Sequence, residues 1–108
     1  ARTMGHVERA REAAGIQQPI QFSACATDGS RLWTVRYSSS NQSQTQYHSR
    51  HIHALRDIHG CYEPIPDGAV ILLSEPLDEL SEHWELVPES SMLVVEDGTT
   101  TVSSFSPE

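Results

Sequence analysis

Large apolar residues in this chain come in short, separated groups. Val70-Ile71-Leu72-Leu73 follows Asp67-Gly68 and stops abruptly at Ser74-Glu75-Pro76. A half-exposed strand would alternate, so an unbroken apolar run predicts a short strand buried on both faces. Proline has no N–H for a ladder and pushes the residue before it toward extended backbone, which ends the strand there. Met4, Val7, Ala10 and Ala14 fall on one stripe of a helix over residues 3–14, with Thr3 as its cap and Gly15 as its C-terminal stop. That stripe is mostly Ala, which predicts close packing against a sheet.

Ile20, Phe22, Ala24 and Ala26 alternate with polar residues up to Asp28-Gly29, a pair suited to the positive φ angles of a tight turn. Residues 32–37 return as a strand, with Trp33, Val35 and Tyr37 on one face and Leu32, Thr34 and Arg36 on the other. Residues 91–95 and 99–105, joined by Glu96-Asp97-Gly98, read as a second hairpin. Trp84 to Val87 forms an extended piece closed by Pro88, and residues 78–82 a single helical turn. Between the groups, residues 38–46 are only Ser, Asn, Gln and Thr, without a charge or an apolar anchor, which predicts a mobile polar loop. Ile52, Leu55 and Ile58 allow a short helix ended by Gly60. The pattern is α+β with mainly antiparallel strands, forming one domain over residues 1–108 whose last residues fray.

Two Trp and three Tyr, with clustered Val, Ile and Leu, keep a chain of only 37% hydrophobic residues out of the disordered class. No apolar run approaches the roughly 18 residues of a membrane span, and the N-terminal residues lack a signal-peptide pattern, so a cytoplasmic protein is expected. All seven basic residues are arginines at or before Arg56, while twelve of the fifteen acids follow it. Such polarity can attract a cationic partner or bring copies together head to tail, but intramolecular pairing is the simpler reading. A net charge of −8 argues against nucleic acid as a partner, because phosphate contacts supply the affinity there. Cys25 and Cys61 form neither a CxxC nor a zinc spacing; one disulfide is arithmetically possible, and two free thiols in a reducing compartment are simpler.

His48, His51 and His53 cannot all share a face of one regular element, and no acid or Cys sits at a ligand spacing beside them, so no metal is expected. GxSxG, HExxH and Gly-rich phosphate loops are absent from the sequence. Neither cysteine adjoins an activating base, although His59 precedes Cys61 by two residues. The residues by themselves specify no catalytic machine and no cofactor. Arg36, inside a strand, must find a partner or solvent and is a candidate site residue. Ser74 and Glu75, at a strand end, are placed for either a site or a turn.

Taken in order, the pieces resemble the C-terminal half of a class II (type 2) glutamine amidotransferase domain of the N-terminal-nucleophile hydrolase superfamily. The matching residues are a helix, then Thr27-Asp28-Gly29 with Leu32 and Val35-Arg36-Tyr37, then Tyr47 after a polar loop. Val70 to Leu73 running into Ser74-Glu75-Pro76-Leu77-Asp78 comes next, followed by Trp84 with Val87-Pro88 and a strand pair around Asp97-Gly98. The resemblance implies part of a four-layer α/β/β/α sandwich, and glutamine hydrolysis with ammonia transfer by an N-terminal Cys whose own α-amine is the base. Residue 1 is Ala, and the family's glutamine-clamping Arg, Asn-Gly pair and substrate-holding Asp all precede the matched region. The resemblance therefore implies a C-terminal portion of a longer protein, inactive alone. Asp28, Arg36, Ser74 and Glu75 would stand behind the substrate pocket, with turn formation and an internal ion pair as the competing reading. The partner would be the missing N-terminal half, and a sheet left without it should drive self-association. The rival expectation is a non-enzymatic α+β binding module whose acidic C-terminal half engages a basic partner.

Overall fold

The computed structural model describes residues 1–50 and 66–108. Helix α1 (Arg2–Ala13) closes on Gly15, whose φ of +67° is costless only without a Cβ. The Gly15 N–H donates to the Glu12 carbonyl at 3.0 Å and the Ile16 N–H to that of Arg11 at 3.1 Å, the double bond pattern of a Schellman stop. The expected cap does not form. Helical geometry begins at Arg2, so Thr3 lies inside the first turn, and the N-cap Ala1 has no side-chain oxygen to offer.

Seven strands follow among the described residues: β1 (Gln21–Thr27), β2 (Arg31–Ser38), β3 (Tyr47–Ser49), β4 (Leu72–Leu73), β5 (Trp84–Leu86), β6 (Ser91–Glu96) and β7 (Thr99–Ser104). They form a four-stranded sheet in the order β1-β2-β6-β7 and a three-stranded sheet in the order β4-β3-β5, every pairing antiparallel. The fold is thus α+β, with one described helix. No described helix is long and apolar enough to cross a membrane.

Local chemistry sets both hairpins. At the first, only Gly29 takes a positive φ (+95°), while Asp28 acts through its side chain. Its Oδ1 accepts the Arg31 N–H at 2.8 Å and the Ser30 N–H at 2.9 Å. These bonds, the Arg31 one foremost, hold the carboxyl below its ordinary range. At the second, Asp97 (φ 49°) and Gly98 (φ 72°) both lie in the left-handed region, as a primed two-residue turn requires.

Three further expectations are corrected. The run from Val70 to Leu73 is not a central strand buried on both faces: only Leu72 and Leu73 pair, at the edge of the smaller sheet, and all four residues are half-buried. Opposite Ser49, Ile71 accepts the Ser49 N–H at 2.9 Å but gives its own N–H to Ser49 Oγ at 3.0 Å, and this side-chain bond ends the ladder. The run instead packs around Trp84, which is 5% exposed and touched by Tyr47, Ala69, Ile71 and Leu73. Residues 78–82 form no helical turn; the Asp78 carboxylate takes the Leu80 N–H at 3.0 Å and bends the chain there. The Ala stripe of α1 does not pack closely on a sheet either. Met4 is buried, but Val7 is 45% exposed and Ala10 and Ala14 are exposed. Alanines offer too little area to hold a helix down, and a polar anchor does it instead: Tyr37 donates its hydroxyl hydrogen to Glu8 at 2.7 Å, beside an Arg11–Glu8 bond of 2.9 Å.

The larger sheet buries Leu93 fully, as the crossing into it buries Val87, and Tyr37 meets Phe105 edge to face with centroids 5.7 Å apart. Extents of 52 × 29 × 20 Å and a radius of gyration of 16.1 Å describe a long, thin body. A compact chain of this length would have a radius of about 13 Å by the usual scaling.

Candidate functional site at the junction of the two sheets

The chain leaves the larger sheet through residues 39–46 and returns to it through residues 87–90. Alternation along β2 points Thr34, Arg36 and Ser38 to one side, and all three are buried there, with exposures of 0%, 5% and 1%. A buried polar face needs partners. The two crossing segments supply them.

The Arg36 guanidinium donates to Ser43 Oγ at 2.9 Å, to the Gln44 carbonyl at 3.0 Å, to the Val87 carbonyl, and to Glu89 Oε1 at 3.1 Å. Glu89 also accepts the Ser43 N–H and the Ser43 hydroxyl hydrogen, each at 2.8 Å. One cation therefore binds both crossings, and Glu89 compensates its charge. Deeper in, Gln46 Nε2 donates to Thr34 Oγ1 at 2.6 Å, and the Thr34 hydroxyl donates in turn to the Ala24 carbonyl at 3.1 Å. The buried Gln46 Oε1 has no hydrogen-bond partner. The Gln46 carbonyl takes the Val87 N–H at 2.8 Å, joining the crossings a second time.

Of the four sequence-derived candidates, the junction gathers three. Arg36 is its centre. Thr45, on the first crossing, lies 2.9 Å from both the Ser74 carbonyl oxygen and Glu75 Oε1, so its one hydroxyl hydrogen is shared between them. Ser74 and Glu75 are exposed at the end of β4. Asp28 sits apart, at the exposed tip of the β1–β2 hairpin.

Sequence reading missed Ser43 and Glu89, which lie 7 and 53 positions from Arg36 and carry no local signal. It also missed Asp78, which accepts from Trp84 Nε1 at 3.0 Å and meets His83 Nδ1 at 2.9 Å. Chiefly through the His83 bond, the Asp78 carboxyl is held below its ordinary range. His48 is buried in β3, with Nδ1 3.2 Å from the Ser49 carbonyl oxygen and Nε2 3.9 Å from Glu85. His51, His53, His59 and Cys61 lie outside the described residues.

A cleft of about 200 Å³ opens between β1, β2 and β4, lined by Cys25, Thr34, Gln46 and Ser74 among others. A second, of about 540 Å³, lies by His48, Arg50, Gly68, Glu85 and Gly98. Among the described residues no group of three or more His, Cys, Asp or Glu could hold a metal ion. Nor does any described Ser, Thr or Cys side chain hydrogen-bond to a histidine. The junction can fix backbone and orient neighbouring segments; it contains no activated nucleophile among the described residues.

No family model matches the sequence, and no curated protein does. Among solved structures, a glutamine aminotransferase class-II domain protein from Silicibacter pomeroyi superposes with a TM-score of 0.76 at 25% identity. The match covers 99% of this chain and 42% of that one, so the chain is similar to less than half of a glutamine amidotransferase-like domain protein.

Proposed function

We propose that this chain is the C-terminal scaffold of a class II glutamine amidotransferase domain, working in the cytoplasm with the remainder of that domain as its partner. The carrying observation is the superposition of nearly the whole chain on 42% of the Silicibacter pomeroyi structure. Long, thin dimensions and two sheets joined by polar crossings suit a portion of a larger sandwich better than a closed domain. In this reading the glutamine-hydrolysing thiol and the substrate clamp reside in the remainder, where released ammonia would be passed to an acceptor. The chain contributes one side of the four-layer sandwich. Arg36 holds the crossings that lead to Ser74 and Glu75, and these three residues support the wall behind the pocket. Asp28 shapes the hairpin that the wall belongs to.

The test compares the 108-residue chain with the longest polypeptide encoded in frame with it, assaying ammonia released from glutamine by coupling to glutamate dehydrogenase. The longer product should release ammonia, and lose that activity when its N-terminal Cys is changed to Ala; the short chain should release none. Glutamine hydrolysis by the short chain, or none by the longer one, overturns the reading.

A further inference from the structure

Glycine inside a helix gives up intrinsic stability relative to alanine, so a glycine held there calls for a reason in packing. Gly5 has one. It and Met4 are the buried residues of α1. The main chain of Glu108 lies directly against it: a Cβ at Gly5 would overlap the Glu108 carbonyl group and stand 2.9 Å from the Glu108 nitrogen. A residue without a side chain is what lets the two backbones meet. Just upstream, Phe105 N–H donates to the Ser90 carbonyl at 2.7 Å, which anchors the segment beside the start of β6. Phe105 and Pro107 are half-buried while Ser106 and Glu108 are exposed, the alternation of an extended segment laid on a surface. Proline fixes its own φ and brings no N–H that needs a partner, which suits a segment outside any ladder.

We infer that residues 105–108 are a strap closed over α1, and that opening the strap and releasing the helix are one event, separate from unfolding of the sheet. Little else holds the helix. Val7, Ala10 and Ala14 are exposed, and no side chain caps the N-terminus. Among the described residues its ties are the Glu8 carboxylate, which accepts the Tyr37 hydroxyl hydrogen at 2.7 Å, the small buried patch at Met4, and the strap at Gly5. Phe105 couples the first tie to the last, because its ring meets the Tyr37 ring edge to face with centroids 5.7 Å apart. Lifting the strap therefore uncovers Gly5 and loosens the ring that positions the Glu8 donor. Elements with few buried contacts open first, and α1 is such an element. The contact is made by this chain itself and leaves no room at Gly5 for another segment, so the device does not rest on the amidotransferase reading.

The test reads the sign of one substitution by amide hydrogen exchange. Alanine is the better helix former, so in a helix without a strap Gly5→Ala should slow exchange about fivefold. Under a closed strap the same methyl group must push Glu108 away. In the 108-residue chain Gly5→Ala should therefore speed exchange at the amides of residues 6–13 at least about tenfold, while the β2 and β6 amides stay protected. Removing residues 106–108 should speed α1 exchange by itself, and in that shortened chain Gly5→Ala should slow it. Slower or unchanged α1 exchange on Gly5→Ala in the 108-residue chain overturns the strap, as does an α1 equally protected with and without residues 106–108. Faster exchange that spreads equally through β2 and β6 overturns the claim that strap and helix open apart from the sheet.

Discussion

Replacing Arg36 by Met should be among the most damaging single changes available to this chain. The methionine keeps most of the stem but removes a guanidinium that is 6% exposed and donates to Ser43, Gln44, Val87 and Glu89. What remains is a carboxylate and two carbonyls facing an apolar side chain. Breaking a buried ion pair by deleting one partner costs about 3–5 kcal/mol. Glu89 is 30% exposed and can recover water, which places the expected loss near the lower end, about 3 kcal/mol. Glu89→Gln keeps one oxygen for Arg36 and the Ser43 N–H, loses the oxygen that accepts the Ser43 hydroxyl hydrogen, and leaves Arg36 with its carbonyl acceptors, so it should cost roughly half as much. Urea unfolding followed by far-ultraviolet circular dichroism measures both, and the double variant gives the coupling between them. Because the pair is largely withdrawn from solvent, the coupling should survive about 1 M salt. The exposed Arg31–Glu96 pair, at 2.7 Å with both side chains about half exposed, should lose its coupling under the same conditions. An Arg36→Met variant within about 1 kcal/mol of wild type, or an Arg36–Glu89 coupling abolished by salt, would refute the view that this cation ties the crossings together.

Gly98→Ala should lower the thermal midpoint more than Gly15→Ala: the new Cβ would lie 2.6 Å from the Gly68 carbonyl oxygen, whereas at Gly15 it meets open space, and both positions have positive φ. Tyr37 is pushed up from 10.0 to about 12, first by burial and then by its bond to Glu8. A raised folded value favours the protonated form, so this stabilisation is complete below about pH 10 and is lost as pH rises toward 12; ultraviolet difference titration should show one tyrosine ionising late, and Tyr37→Phe should remove that signal. Asp78 shifts the other way, so its contribution is present above its ordinary value of 3.8 and is lost as pH falls through the lower folded value. In a Trp33→Phe background, Trp84 emission should change in acid below that ordinary value, and Asp78→Asn should shift it at neutral pH and remove that acid step.

Elements written in local chemistry were legible in the sequence. Gly15 stops the helix because only a residue without Cβ enters that conformation freely, and Asp28-Gly29 and Asp97-Gly98 turn the chain for related reasons. The alternation in β1 and β2 likewise carries through into a register that pairs Phe22 with Tyr37. What fails is inference from apolar count alone. Four consecutive large residues from Val70 predict a strand buried on both faces, yet how far such a run is buried depends on the strand beside it, and at Ile71 the ladder ends in a bond to the Ser49 side chain. The α1 stripe fails for a similar reason, since its alanines bury too little area to outweigh one Tyr37–Glu8 bond.

The candidate site was legible only halfway, and charge shows why. A strand arginine declares that it needs a partner, but nothing near it in sequence names one. The global polarity did: every base lies at or before Arg56 and most acids lie after it. Arg31 meets Glu96, Arg36 meets Glu89 and Arg50 approaches Glu85 at 2.7, 3.1 and 3.8 Å, each pair joining the basic half to the acidic half. The three pairs are not equivalent. Arg31 and Arg50 are about half exposed and serve as surface pairs of small worth. Among the three, Arg36 alone is withdrawn from water, and at Arg36 both crossings converge. The same electrostatic pattern therefore yields one structural centre and two incidental contacts, separated by burial, a quantity that pairing in sequence does not encode.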